Sequence, residues 1–128
     1  MIIVAIDETN FNRSLDILDN LDSQKCMVKI GSVSFNLFGH KIISIAAEKG
    51  FEIFLDLKLH DIPNTVKKSI QGLTSLPIRM LTIHTSGGKD MMEAAMEGVS
   101  GSDIKVFGVT ALTSLSDNDT NEIYRRSV

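Results

Sequence analysis

Three features of this 128-residue chain predict an α/β fold of parallel strand-helix repeats. Short apolar runs alternate with segments whose apolar residues recur at helical spacing, and the joining segments are short, as strand-helix-strand crossovers require. Each apolar run also finishes on a polar residue: Asp7, Lys29, Asp56 with Lys58, His84 and Thr110. Parallel strands point one way, so these residues gather at the carboxyl end of the sheet, where barrel and open α/β enzymes place their sites. A closed (β/α)8 barrel needs eight units and about 250 residues. Five units fit an open five-stranded sheet or a truncated barrel equally well.

The elements follow in order. Ile2 to Ile6 is the first predicted strand, and Asn12 to Leu21 a short helix with Leu15, Leu18 and Leu21 on one side. Met27 to Ile30 is the second strand. Phe35, Phe38, Ile42, Ile45 and Ala46 carry helical spacing, weakened by Gly39, and Gly50 stands where a terminating glycine belongs. Ile53 to Lys58 is the third strand. Pro63 suits a first helical turn, and Val66, Ile70 and Leu73 continue it. Met80 to His84 is the fourth strand, followed by Gly87-Gly88 and a helix carrying Met91, Met92 and Met96. Lys105 to Val109 is the fifth strand, and a last helix begins around Asp117 to Thr120. No linker, repeat or low-complexity tract divides residues 1–128, which read as one domain.

Composition narrows the function. A net charge of −3 without any basic run gives no general attraction to nucleic acid or to an anionic membrane. Trp is absent and Tyr124 is the only Tyr, which disfavours a base-stacking platform. No apolar run approaches membrane-spanning length and no basic n-region precedes an apolar h-region, so a cytoplasmic protein is expected. Cys26 is alone and reads as a buried small hydrophobe. The three histidines lack the two-His helical spacing of a metal site. His84 reads as a hydrogen-bonded core histidine, with a catalytic role as the competing reading, and His60 as a loop-shaping residue. Asp117 to Asn121 imitates the start of a calcium loop, but Glu122 replaces the sixth-position glycine and Val128 the closing acid. It reads instead as an acidic helix start.

The most informative stretch is Asp56-Leu57-Lys58-Leu59-His60-Asp61-Ile62-Pro63-Asn64-Thr65. A lysine stands between two aspartates where a buried strand gives way to a loop. Strand alternation puts Phe54, Asp56 and Lys58 on one face and Ile53, Leu55, Leu57 and Leu59 on the other. Opposite charges on a buried strand are costly unless paired or used in chemistry. A protonated lysine beside carboxylates suits an acid that protonates a carbanion, and a plain structural ion pair is the competing reading.

From Phe54 to Thr65 the chain resembles orotidine 5'-phosphate decarboxylases. The Asp-x-Lys-x-x-Asp core is shared with related sugar-phosphate decarboxylases and synthases, while the His-Asp-Ile-Pro-Asn-Thr continuation is more specific to the orotidylate enzymes. Val4-Ala5-Ile6-Asp7, Val28-Lys29-Ile30-Gly31 with Phe35 to Gly39, His84 to Gly88 with Met91-Met92, and Val109 to Ser114 extend the resemblance. It covers nearly all of this chain and about the first half of the family's domain, implying an incomplete (β/α)8 barrel with about five strands. It implies conversion of orotidine 5'-phosphate to UMP and carbon dioxide in pyrimidine biosynthesis, with neither metal nor organic cofactor. Lys58 then resembles the proton donor and Asp56 the aspartate facing the departing carboxylate. Asp61 resembles the aspartate given across a homodimer interface, with Ile62 and Thr65 beside it. Lys29 and Asp7 resemble residues holding the ribose hydroxyls, and Thr113 the hydroxyl beside the pyrimidine. The family's phosphate-binding arginine lies near a Pro-Gly-Ile-Arg stretch that nothing here matches; Arg125 and Arg126 fall in the last helix pattern and do not match it. A related sugar-phosphate decarboxylase or synthase, and a non-catalytic remnant, are the other classes that fit parts of this pattern.

Overall fold

The computed structural model describes residues 2–125. Five parallel strands, β1 (Ile2–Ala5), β2 (Cys26–Gly31), β3 (Ile53–Leu59), β4 (Met80–His84) and β5 (Lys105–Val109), lie side by side in chain order. Six helices connect or follow them: α1 (Phe11–Asp19), α2 (Ser32–Phe38), α3 (His40–Glu48), α4 (Pro63–Leu73), α5 (Lys89–Gly98) and α6 (Asp117–Tyr124). The strand order decides between the two architectures left open above. A doubly wound sheet reverses direction at a switch point, whereas this sheet steps one way from β1 to β5. Right-handed crossovers between successive neighbours put the helices on one face, which is the arrangement of a barrel wall.

Register sorts the residues into two layers. Val28, Ile30, Ile53, Leu55, Leu81 and Ile83 are essentially buried and form the main core with Ile42, Ile43, Ala46, Val66, Ile70, Met91 and Ala95 from the helices. On the opposite face Lys29 pairs with Phe54 and Phe54 with Met80, while Gly31 stands beside Asp56 and Thr82 beside Phe107. This inner face is partly open: Ile3 is 38% and Phe107 44% exposed, although the Phe54 and Phe107 rings approach to 6.3 Å.

Local signals explain the helix ends. Asn10 caps α1, its side chain accepting from the Arg13 amide at 3.2 Å. The single helical pattern expected across Phe35 to Ala46 is broken in two at Gly39, whose φ of +58° is open to glycine and costly for other residues. Gly50, at φ +86°, terminates α3 as expected. Ser116 and Asp119 form a reciprocal capping box on α6. Arg125 follows in the left-handed region rather than inside a helix. Arg126, Ser127 and Val128 lie outside the described residues, as does Met1. Met91 is buried in the core, whereas Met96 is 57% exposed. Cys26 is only half-buried, a correction to its expected burial.

Helices α4 and α5 touch at Gly98, where a methyl group would come within 3.0 Å of the Ile70 side chain and the Lys67 carbonyl. Gly98→Ala is therefore expected to destabilise the chain by about 1–3 kcal/mol, as overpacking does. Urea unfolding of the purified variant checks this, and an unchanged midpoint would contradict it.

Candidate active site

Four of the polar strand-end residues, Asp7, Lys29, Asp56 and Lys58, converge. Lys29 Nζ lies 3.6 Å from Asp7 Oδ2 and 3.3 Å from Asp56 Oδ2, and Lys58 Nζ donates to both Asp56 oxygens at 2.9 Å. The four side chains form one alternating series of charges across β1, β2 and β3. Asp56 is its buried centre, with 10% of its side chain exposed, while Lys29 and Lys58 keep 24% and 36%. Gly31 makes room for this: a methyl group there would sit 3.1 Å from Asp7 Oδ1 and 3.7 Å from Lys29 Nζ.

Burial pushes the Asp56 carboxyl up. The hydrogen bonds from Lys58 and Thr82, with the charges of Lys58 and Lys29, outweigh that and hold it below the usual carboxylate range. The carboxylate is thus ionised at neutral pH, as a partner of two ammonium groups must be.

The backbone that carries Lys58 to this place is not a regular strand. Between Leu55, paired with Leu81, and Leu59, paired with Ile83, β3 spends four steps against two on β4. Within this bulge Lys58 adopts φ +50°, a left-handed conformation uncommon outside glycine. Such strain concentrates at functional sites. Leu57 and Leu59 remain packed, half-buried, at the margin of the core.

A cleft of about 400 Å³ opens beside the pair, lined by Phe54, Asp56, Lys58, Thr82, Thr113 and their neighbours. Thr113 is exposed and lines the same cleft as Lys58. Thr110 is exposed beyond β5. Asp61, Ile62 and Thr65 are exposed at the corner between β3 and α4. There the Asp61 carboxylate accepts from the Ile62 amide at 2.7 Å and takes part in none of the ion pairs among the described residues. Thr82 was missed in the sequence. Its signal was a hydroxyl in the middle of an apolar run, on the face shared by Met80 and His84.

His84 stacks obliquely on His60, ring centroids 5.5 Å apart, and its Nδ1 is buried without a hydrogen-bond partner. Burial, then the nearby His60 and Lys58 charges, lower its pKa. A base whose folded pKa is depressed takes up protons more readily when unfolded. Its stabilising contribution is therefore full above the ordinary value of about 6.5 and falls as pH drops below it. Unfolding free energies in urea should decline between about pH 7.5 and about pH 5.5, and less so in His84→Asn. Equal slopes in both proteins would remove His84 as the cause.

Among the described residues, no group of three or more His, Cys, Asp or Glu is placed to hold a metal ion. No described helix is long and apolar enough to cross a membrane.

Comparison with known proteins gives the family and the fold. An orotidine 5'-phosphate decarboxylase of Ehrlichia chaffeensis is 48% identical over 122 residues, covering 95% of this chain and 53% of that protein. The enzyme of the same name from Saccharophagus degradans is 42% identical over 120 residues, covering 92% and 50%. The chain therefore spans about half the length of these relatives. The crystal structure of orotidine 5'-phosphate decarboxylase from Lactobacillus acidophilus superposes with a TM-score of 0.85 at 37% identity, over 97% of this chain and 58% of that one. That of the Methanocaldococcus jannaschii enzyme complexed with the inhibitor BMP, at 23% identity and a TM-score of 0.77 over 85% of this chain and 51% of that one, shares the fold. The matching family model, Orotidine 5'-phosphate decarboxylase / HUMPS family, extends over residues 1–128, and the chain belongs to that family.

Proposed function

We propose that this chain is the N-terminal, proton-delivering part of an orotidine 5'-phosphate decarboxylase, a carboxy-lyase that converts orotidine 5'-phosphate to UMP and carbon dioxide. The observation that carries the reading is the contact series Asp7–Lys29–Asp56–Lys58 beside an open cleft in a chain of this family. In the reaction the bond between ring carbon six and its carboxylate breaks and its electron pair stays on the ring. Carbon dioxide leaves, and the Lys58 ammonium delivers the proton that forms the new carbon–hydrogen bond.

Asp56 orients Lys58 and faces the departing carboxylate. Lys29 and Asp7 take the ribose hydroxyls, and Thr113 stands beside the pyrimidine. Charges held in place before the substrate arrives need no reorganisation as the carbanion develops, which is the usual source of stabilisation in such sites. Asp61, Ile62 and Thr65 serve the site of a second copy in a homodimer; the 66% exposure of Ile62 suits a residue that meets a partner. Residues 1–128 contain no match to the family's phosphate-binding arginine stretch, so the reading assigns the phosphate to strand-helix units beyond them.

The test is formation of UMP and carbon dioxide from orotidine 5'-phosphate. It is run with the purified chain alone and with the chain mixed with a polypeptide carrying the remaining half of the Ehrlichia chaffeensis relative. Turnover that requires this chain supports the reading. Turnover of a sugar phosphate instead would assign the sister chemistry. Absence of turnover in both arms, together with no calorimetric binding of UMP, would leave a non-catalytic module.

A further inference from the structure

We propose that Thr82 is a positioning residue that locks the β3 bulge and thereby sets both Asp56 and Lys58. What that pair does rests on the decarboxylase reading; the lock itself rests on geometry. Thr82 is 4% exposed in the middle of β4. Its hydroxyl donates to Asp56 Oδ1 at 2.9 Å and accepts from the backbone N–H of Lys58, also at 2.9 Å. A hydroxyl has one hydrogen and two lone pairs, so it meets both demands at once.

The need for it follows from the bulge. With φ at +50° and the ladder interrupted between Leu55 and Leu59, the Lys58 N–H requires a partner other than a strand carbonyl. The Thr82 hydroxyl supplies that partner and passes its own hydrogen to the carboxylate that Lys58 Nζ also binds. One side chain of β4 therefore fixes the backbone at one end of the Lys58 side chain and the acceptor at the other. Lys29, 3.3 Å from the far oxygen, holds Asp56 from β2 but touches neither atom of the bulge.

Amide hydrogen exchange by NMR tests this on the full chain with Thr82→Val and Thr82→Ser. Valine keeps the branched shape and removes the hydroxyl; serine keeps the hydroxyl. The valine variant is expected to speed exchange at the Lys58 amide by roughly tenfold, the loss of about one hydrogen bond. Its Asp56 carboxyl should titrate at higher pH, while core amides such as Leu55 stay protected. The serine variant should match the parent at both positions. Should valine prevent folding, Thr82→Cys, with its weak sulfur donor and acceptor, replaces it and should give a change in the same direction.

Unchanged Lys58 exchange in the hydroxyl-free variant, or equal loss in the serine variant, would overturn the lock. Neither readout depends on turnover. A lock that is present in a chain without activity or UMP binding counts against the decarboxylase reading alone. An active chain whose Lys58 exchange ignores Thr82→Val counts against the lock alone.

Discussion

Lys58→Ala is expected to lower carbon dioxide release by at least about 100- to 10,000-fold, the range associated with a positioned general acid. The loss should fall on kcat. On the proposed reading the carbanion still has to form, but the ammonium that would protonate it is gone. Lys58→Arg separates the two roles that a cation could have here. Arginine keeps the positive charge and can still pair with Asp56, yet it does not release its proton at any accessible pH. A variant that remains nearly inactive therefore identifies proton delivery as the function of Lys58. Recovery in the arginine variant to within about threefold of the parent would reduce Lys58 to an electrostatic partner and remove the mechanism proposed here.

The second large effect is on stability and needs no substrate. Asp56 lies between two ammonium groups, Lys58 at 2.9 Å and Lys29 at 3.3 Å, and has little exposed surface of its own. Asp56→Ala leaves both cations without that carboxylate and strips Thr82 of its acceptor. Breaking a buried ion pair costs about 3–5 kcal/mol. Because Lys29 and Lys58 keep 24% and 36% of their side-chain surface, water compensates part of this and about 2–4 kcal/mol is expected. Asp56→Asn, which keeps a carbonyl acceptor, should lose roughly half as much. Urea unfolding at neutral pH measures both, and a cost below about 1 kcal/mol for alanine would show that the network is not a stabilising element.

The same network has a pH signature. Asp56 is more acidic in the folded chain than in the unfolded one, so its contribution is full above the ordinary carboxylate value of about 3.9. It is lost as pH falls through the lowered folded value. The His84 contribution is lost earlier in the descent, as pH falls below about 6.5, so the two steps are separable in an acid titration.

Strand periodicity and glycine and proline punctuation were enough to locate all five strands to within a residue or two, and to start α4 at Pro63. These are properties of short windows: a buried strand must be apolar and brief, and a proline fits a first turn whatever surrounds it. The polar strand ends were legible for a similar reason. A parallel sheet carries every strand terminus to one side, so Asp7, Lys29, Asp56 and Lys58 could be assigned to one region before their contacts were known. Asp61, Ile62 and Thr65 show the limit of that rule. They follow the strand in sequence, but α4 begins at once and leaves them exposed at the corner.

By itself, then, the chain determined its element types, their parallel arrangement and the charged side chains of its carboxyl end, because each follows from local pattern. Tertiary structure alone decided three things. The one-directional strand order made a barrel wall rather than a doubly wound sheet, since neighbour order is a relation between distant segments. The shifted register of β3 against β4 put Lys58 into a left-handed bulge that alternation along one strand cannot predict. The Thr82 hydroxyl met both halves of the Asp56–Lys58 pair because β4 lies against β3 at that height, a juxtaposition of residues 24 and 26 positions apart that only pairing creates.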